Sequence, residues 1–211
     1  MFSSKYSTYL VVLLLILSIV SCKQKSSESD GNKVALVDTS IYKNESLGWQ
    51  ITIPDSFNLI SEDKMNEFDQ QGRDIVGLSE EEVEAYNNGL QHLVSFGKDD
   101  FNIFAATAEP FELMYEGEYE DNNRLLNELI YQTFVNQGLS IDTSSSNVVI
   151  DELEFMSFKT NIYDPAGELI ITQELFNRYI NGYDFSVNIN YNNDEDKSAM
   201  LNAWKTSTFK N

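Results

Sequence analysis

An apolar run close to the N-terminus limits what the chain can fold into more than any other feature. Residues 9–22 read YLVVLLLILSIVSC, only Lys5 and the terminal amine precede them as positive charge, and a polar segment follows. A membrane-spanning helix needs about 20 apolar residues, whereas a signal peptide needs fewer. The run therefore predicts a signal peptide over residues 1–21. A buried core helix is the alternative, which the polar segment after Cys22 disfavours.

The end of this run, Ile19-Val20-Ser21-Cys22, resembles a bacterial lipobox, in which signal peptidase cuts before the cysteine. The resemblance implies a diacylglycerol thioether on Cys22, and two or more acyl chains suffice for stable anchoring. Cys22 is the only cysteine, so no disulfide can form within one chain. The alternative is an ordinary secretory peptide with a chance cysteine. Lys23 is not the aspartate that enterobacteria use for inner-membrane retention, which favours the outer membrane.

Charge and length limit the partners of the mature protein. The 211 residues include 34 acids and 14 bases, a net charge of -20, and Lys5 leaves with the signal peptide. A polyanion is repelled by phosphate backbones and anionic headgroups, so we expect no nucleic-acid binding and a membrane contact made by lipid. We predict a flexible linker over residues 22–41, because its first half is rich in Ser, Glu, Asp and Lys. Residues 42–211 form one domain.

The first half of this domain contains strand, helix and hairpin signals. Trp49, Ile51 and Ile53 alternate with polar residues, which predicts a half-buried strand that ends at Pro54. Ser79 and Glu82 form a capping box, which predicts a helix over residues 80–87. Residues 93–96 and 101–108 are apolar runs separated by a Gly-Lys-Asp-Asp link, and they predict a hairpin.

Residues 121–137 carry the strongest helix pattern in the chain. Asp121 can cap the start, and Gly138 suits the C-terminal stop. An apolar stripe at helical spacing predicts a core-facing side. The stripe consists of Leu126, Leu129, Ile130 and Phe134.

The second half predicts an antiparallel meander. Residues 140–145 and 148–153 are two extended segments around a loop rich in Ser and Asn. Residues 154–163, 168–180 and 183–191 are strands joined by an Asp-Pro-Ala-Gly turn and by Asn181-Gly182, a strong hairpin signal.

In the last strand, the apolar residues alternate with Ser186, Asn188 and Asn190, which predicts one buried face and one solvent-exposed face. A terminal helix begins after Asn193 or Asp194 and ends near Thr206. It places Met200, Leu201 and Trp204 on one side. Helices against a mostly antiparallel sheet make this an α+β domain.

This order of elements resembles the PsbP-like superfamily. The resemblance lies in the opening LGWQITIP strand, the late NGYDFSVNINY strand and the final AMLNAWKTSTF helix, and it covers residues 42–209. The superfamily includes a photosystem II extrinsic subunit, a nuclear-transport factor that binds the GTPase Ran, and bacterial lipoproteins. It implies an α/β/α sandwich and a role as a binding or assembly module, and it brings no catalytic residue to this chain.

The residues also argue against familiar catalytic sites. His92 is the only histidine, so one chain cannot build a two-histidine metal site, and we expect this residue at the surface or a strand end. The sequence contains no G-x-S-x-G, no G-x-G-x-x-G, no P-loop and no H-E-x-x-H. We therefore predict no catalytic residues and no cofactor.

Carboxylates leave two alternatives open. Asp194, Glu195 and Asp196, and the acidic residues of 116–123, offer oxygen ligands for calcium, although neither segment has EF-hand order. The simpler interpretations are a turn with a helix cap and a solvated loop. Among so many acids, a pair at glycosidase spacing is also expected.

Three hypotheses follow for the function. The first is a lipid-anchored, non-catalytic binding or assembly module of the cell envelope, which holds the membrane through Cys22 and binds an envelope protein. The second is an envelope hydrolase that uses paired carboxylates, and the third is a calcium-dependent adhesion module. Three tyrosines offer a possible ligand groove, although packing is the simpler role for aromatic residues. They are Tyr115, Tyr119 and Tyr131.

Overall fold

The computed structural model of the protein describes residues 40–76 and 89–210. Its strands are β1 (Ile41–Asn44), β2 (Trp49–Thr52), β3 (Asn58–Leu59), β4 (Gln91–Gly97), β5 (Ile103–Pro110), β6 (Ser140–Ile150), β7 (Leu153–Tyr163), β8 (Leu169–Ile180), β9 (Tyr183–Tyr191) and β10 (Thr208–Phe209). Its helices are α1 (Glu62–Val76), α2 (Glu118–Asn136) and α3 (Asp194–Lys205). No helix in these two ranges is both long and apolar enough to cross a bilayer.

The strands form two antiparallel sheets. The large sheet has the order β3-β4-β5-β9-β8-β7-β6, and the small sheet has the order β1-β2-β10. Helix α3 and the small sheet pack on one side of the large sheet, whereas α1 and α2 pack on the other. The fold is therefore the predicted α+β sandwich.

The α3 side holds an apolar core that is rich in aromatic rings. Trp204 of α3 is completely buried and lies 5.0 Å from Phe155 and 6.2 Å from Phe185, measured between ring centroids. Trp49 of β2 lies 5.0 Å from Phe185 and stacks on Phe209. The alternation predicted from Trp49 to Ile53 is confirmed in β2, because Trp49 and Ile51 are buried here.

The α2 side has a smaller apolar core and many polar groups. Leu126, Ile130 and Phe134 pack on β7 and β8, as the sequence predicts. Leu129, assigned to the same stripe, is 37% exposed because it lies beside the buried arc of the helix. Near the other end of the sheet, α1 places Met65 and Phe68 against β5.

Helix α2 begins earlier than predicted and ends as predicted. Its N-cap is Gly117, in a left-handed conformation and without a side-chain cap, so Asp121 is not the cap. At the other end, Gly138 has a φ of 77°, its N–H bonds to the carbonyl of Val135, and the next N–H bonds to Phe134. These two bonds form a Schellman motif, which needs a left-handed residue at this position.

The serine-rich segment does not form a loop. The strand β6 runs without a break from Ser140 to Ile150 and pairs residue by residue with β7. Serine and asparagine have low strand propensity, but continuous pairing with a neighbouring strand outweighs it. The other predicted hairpins are confirmed, and Asn181 and Gly182 both have positive φ, as their turn requires.

The polar face of β9 is also not solvent-exposed. Ser186, Asn188 and Asn190 are 3%, 4% and 1% exposed. The strand β9 lies between β5 and β8 near the middle of the large sheet, on the face where α1 and α2 pack. The strand alternates as predicted, but both of its faces are covered.

Several predictions lie outside the described residues. These are the signal peptide with its lipobox, Cys22, the linker up to residue 39, and the helix over residues 80–87. The terminal helix lies inside and is confirmed, because Asn193 caps α3 by accepting a hydrogen bond of 2.9 Å from the backbone N–H of Asp196.

Candidate binding site

A cleft lies between α2 and the sheet surface that α2 covers. Its volume is about 340 Å³, within the range of small-molecule sites. Its walls come from one helix and three strands, and most of its side chains are amides or hydroxyls. The lining residues are Glu120, Asn123, Arg124 and Asn127 of α2, Ser145, Ser146 and Asn147 of β6, Met156, Ser157 and Phe158 of β7, and Asn177 of β8.

Strand register brings the sheet side of this cleft together. Asn147 of β6 pairs with Met156 of β7, and Met156 pairs with Asn177 of β8. Directly paired residues of antiparallel strands point to the same face, so these three side chains form one row. Two residues away along β6 and β7, Ser145 pairs with Phe158 and extends the same face.

A buried chain of hydrogen bonds fixes the floor of the cleft to the helix. The Asn177 amide nitrogen donates to the side-chain oxygen of Asn123 at 2.8 Å, and the Ser186 hydroxyl donates to the side-chain oxygen of Asn177 at 2.7 Å. The Asn123 amide nitrogen donates to the carbonyl of Tyr119 at 3.0 Å. Because these groups are buried and paired, the chain fixes the position of α2 over the strands.

Tyr119 continues this network towards the end of β9. Its hydroxyl donates to a carboxylate oxygen of Asp184 at 2.7 Å, and both residues are buried. Burial raises the pKa of Tyr119 well above its ordinary value, and the charge of Asp184 raises it further. The phenol therefore remains protonated and acts as a permanent donor.

The charged residues of the cleft lie at its rim. Arg124 forms an exposed ion pair of 3.1 Å with Asp121. Glu120 is exposed, and within the described ranges its carboxylate has neither an ion pair nor a hydrogen bond. Deeper in the cleft, the side-chain oxygen of Asn127 is buried without a partner. The cleft therefore offers amide and hydroxyl groups inside and one unpaired carboxylate at its opening.

This lining does not favour hydrolysis by paired carboxylates. Glu120 is the only carboxylate among the lining residues, whereas glycoside hydrolysis by that mechanism needs two that flank the reacting bond. Across residues 40–76 and 89–210 there is also no group of three or more His, Cys, Asp or Glu side chains that could bind a metal ion. The arrangement is suited to binding.

His92 lies elsewhere and is not a surface residue. It is the second residue of β4, as the strand-end prediction requires, but its side chain is only 14% exposed. Its Nε2 lies 2.8 Å from a carboxylate oxygen of the buried Asp69 on α1. The residue therefore connects helix and sheet.

Two of the calcium candidates, Glu195 and Asp196, lie beside a lysine. The ammonium group of Lys98 lies 2.5 Å from the Asp196 carboxylate and 3.7 Å from that of Glu195. Burial raises the pKa of Asp196, but the hydrogen bonds from Lys98 and Asn193 and the charge of Lys98 outweigh it, so the pKa lies below its ordinary value. Asp194 is exposed in the first turn of α3. Lys98 supplies the positive charge that calcium would bring.

The other candidates do not meet in one place. The acidic segment 116–123 leads through the N-cap Gly117 into the start of α2, where the Glu118 carboxylate accepts a hydrogen bond from the backbone N–H of Met114 at 2.5 Å. Tyr119 is buried, whereas Tyr115 and Tyr131 are 51% and 39% exposed, and none of the three lines the cleft. Sequence reasoning missed Asn177, Asn147 and Ser145, because polar residues on strands are usually solvent-exposed.

The chain is similar to known proteins in its fold and not in its sequence. No protein-family model and no curated protein sequence matches it. The solution structure of cyanobacterial PsbP (CyanoP) from Synechocystis sp. PCC 6803 matches with a TM-score of 0.53 at 9% sequence identity, over 85% of this chain and 98% of that one. The structure therefore has a PsbP-like fold.

Proposed function

We propose that the protein is a lipid-anchored, non-catalytic binding module of the cell envelope, and that the cleft beneath α2 is its ligand site. The observation that carries this proposal is the cleft itself, with amide and hydroxyl groups held by a buried hydrogen-bond chain. A site that binds without reacting needs fixed donors and acceptors in a concave surface. The PsbP-like fold is consistent with a binding role.

The anchor in this proposal is acylated Cys22. The apolar run before it and the polar segment after it support signal-peptide cleavage at this residue. The net charge of -20 makes electrostatic adsorption to anionic lipid unfavourable, so the acyl chains provide the membrane affinity. Lys23 favours the outer membrane.

Membrane fractionation tests the anchor. We expect the wild-type chain to stay with membranes after a high-salt wash and Cys22→Ala to become soluble, because salt weakens ionic contacts but not acyl insertion. Mass spectrometry of the membrane-extracted protein should show a diacylglycerol on Cys22. Retention of Cys22→Ala in the washed membranes, or an unmodified thiol, would contradict the anchor.

Crosslinking in cells tests the cleft with a matched pair of variants. Ser145 lines the cleft, whereas its neighbour Ser144 is also exposed but lies on the opposite face of β6. We expect Ser145→Trp to fill the cleft and remove the crosslinked envelope partner, while Ser144→Trp retains it. Equal recovery of the partner with both variants would rule out the cleft as the site.

A further inference from the structure

Among residues 40–76 and 89–210, the strand β6 forms an exposed edge with little of the usual protection. Within the part of the chain that the structure describes, β7 is its only strand neighbour. It has 11 residues in unbroken register with β7, it contains no Lys, Pro or Gly, its single charged residue is Asp142, and residues 142–147 are exposed. At the opposite edge of the sheet, β3 has only 2 residues. Natural edge strands are normally short, bulged, charged or covered.

The hairpin turn determines which backbone groups of β6 are free. Ile150 pairs with Leu153 across Asp151 and Glu152, both of which have positive φ, so the turn is a two-residue type I′ turn. The residues that flank such a turn exchange hydrogen bonds, and this pattern alternates along an antiparallel pair. Ile150 therefore directs its N–H and C=O towards β7, while Ser145 and Asn147 direct theirs outwards.

These outward-directed residues also line the cleft. Ser145 and Asn147 present their side chains to the α2 face and their backbone groups to the free edge. A strand added to β6 would therefore place every second side chain on the α2 face, next to the cleft. The unpaired carboxylate of Glu120 lies at the cleft rim, and the charge of Arg124 is balanced by Asp121.

We infer that the cleft takes an extended polypeptide segment of a partner protein, which adds antiparallel to β6 and directs lysine or arginine side chains towards Glu120. Strand addition is an established mode of peptide recognition, in which backbone hydrogen bonds provide affinity and alternate side chains provide specificity. A basic segment is complementary to the net charge of -20, which also opposes pairing of β6 with a second copy. This inference rests on the proposal that the cleft is a binding site.

Fluorescence anisotropy with the detergent-solubilised full chain tests the backbone contacts. The probe is a labelled synthetic peptide of alternating threonine and lysine, prepared unmodified, with N-methylated lysine amides, or with N-methylated threonine amides. In antiparallel addition the lysine amides on the α2 face point to β6, so their methylation should weaken binding tenfold or more, while threonine methylation should not. The reverse order would indicate parallel addition. Equal affinities, or no binding of the unmodified peptide, would overturn the inference.

Variants of β6 and of the cleft rim provide the second test. Ser145→Pro removes one outward-directed N–H and leaves the ladder to β7 intact, so we expect it to abolish binding, while Ser144→Ala, on the opposite face of β6, binds like the wild type. Circular dichroism checks that both variants remain folded. Glu120→Gln should weaken binding about threefold, a typical loss for an exposed ion pair, whereas the exposed Glu116→Gln should have no effect.

The outcomes separate this inference from the proposed function. If Ser145→Trp removes the cellular partner but the peptide series shows no backbone dependence, the cleft binds a different ligand, such as a glycan, and strand addition is wrong. If Ser145→Pro instead changes the oligomeric state in light scattering, β6 pairs with a second copy and the partner segment is wrong.

Discussion

The two faces of the large sheet contrast sharply, although the same strands build both. On the α3 side, β9 contributes Phe185, Val187 and Ile189 to a core filled with aromatic rings. On the α2 side, the intervening residues are Ser186, Asn188 and Asn190, all buried. Apolar burial stabilises in proportion to area, whereas buried polar groups stabilise only where they find partners. The α3 side therefore provides stability, and the α2 side provides defined positions for polar groups.

Both sides of the sheet contain buried polar atoms without a partner, and on the α3 side these include the indole nitrogens of Trp49 and Trp204. Both polar side-chain atoms of Asn188 are buried without a partner, and so is the hydroxyl of Ser95. Each such group costs about 1–3 kcal/mol. Replacement by apolar residues would remove this cost, so the α2 side is not optimised for stability alone.

The largest expected effect lies on the α3 side. Trp204→Ala should lower the free energy of unfolding by about 3–5 kcal/mol, because it leaves a cavity among Trp49, Phe155 and Phe176. Urea denaturation measures the loss. Leu125→Ala is the control, because Leu125 is 60% exposed and should change stability by less than about 0.5 kcal/mol. Comparable losses for the two variants would refute the assignment of the core to this face.

The next effect concerns a single hydroxyl on the α2 side. Tyr119→Phe removes the donor to Asp184 and should cost about 1.5–3 kcal/mol, the range for a hydrogen bond to a charged group. Tyr131→Phe makes the same change at an exposed site and should be neutral. Chemical denaturation of both variants tests the difference. A neutral Tyr119→Phe would show that the network does not support α2.

A double-mutant cycle tests whether the polar side acts through specific pairs. Asn123→Ala and Asn177→Ala remove the two ends of one buried hydrogen bond of 2.8 Å, so their effects should be non-additive by about 1 kcal/mol. Asn123→Ala combined with Asn202→Ala, which is an exposed position on α3, should be additive. Additivity in both cycles would mean that Asn123 and Asn177 do not stabilise the fold through their mutual hydrogen bond.

The smallest effect depends on pH and concerns the ion pair between Lys98 and Asp196. Since the folded-state pKa of Asp196 is lowered, the pair stabilises the fold fully above the ordinary value of 3.8 and loses this contribution as the pH falls through the folded pKa. Lys98→Met should therefore reduce stability at neutral pH. It should also make the loss of stability below pH 3.8 smaller than in the wild type. Melting curves at several pH values measure both changes. Lys43→Met, at an exposed position, should leave the acid profile unchanged.

Local patterns predicted the elements well but not how they are covered. The Asn181-Gly182 turn and the apolar stripe of α2 are determined by residues close in sequence. Both were predicted correctly, apart from the exposed Leu129. Alternation assigned Ser186 to the face opposite Phe185, but it could not show that this face is buried, because burial depends on elements that are distant in sequence. The uninterrupted strand through Ser144 was missed for the same reason.

The cleft could not be predicted from the sequence for a related reason. Asn123, Ser145 and Asn177 come from three separate elements, and each of them is individually typical of a solvated position. Only strand register and the helix above it bring them together. The PsbP-like resemblance predicted the architecture but identified no site residue.

The small sheet has a practical consequence for attaching reporters. The described chain enters at Ser40 beside β1 and leaves at Lys210 after β10, and Lys210 donates a backbone hydrogen bond of 2.7 Å to Gly48. Both ends of the described segment therefore lie at the small sheet, on the opposite side of the large sheet from α2. A fluorophore or affinity handle fused after the last residue would leave the amide-lined surface accessible.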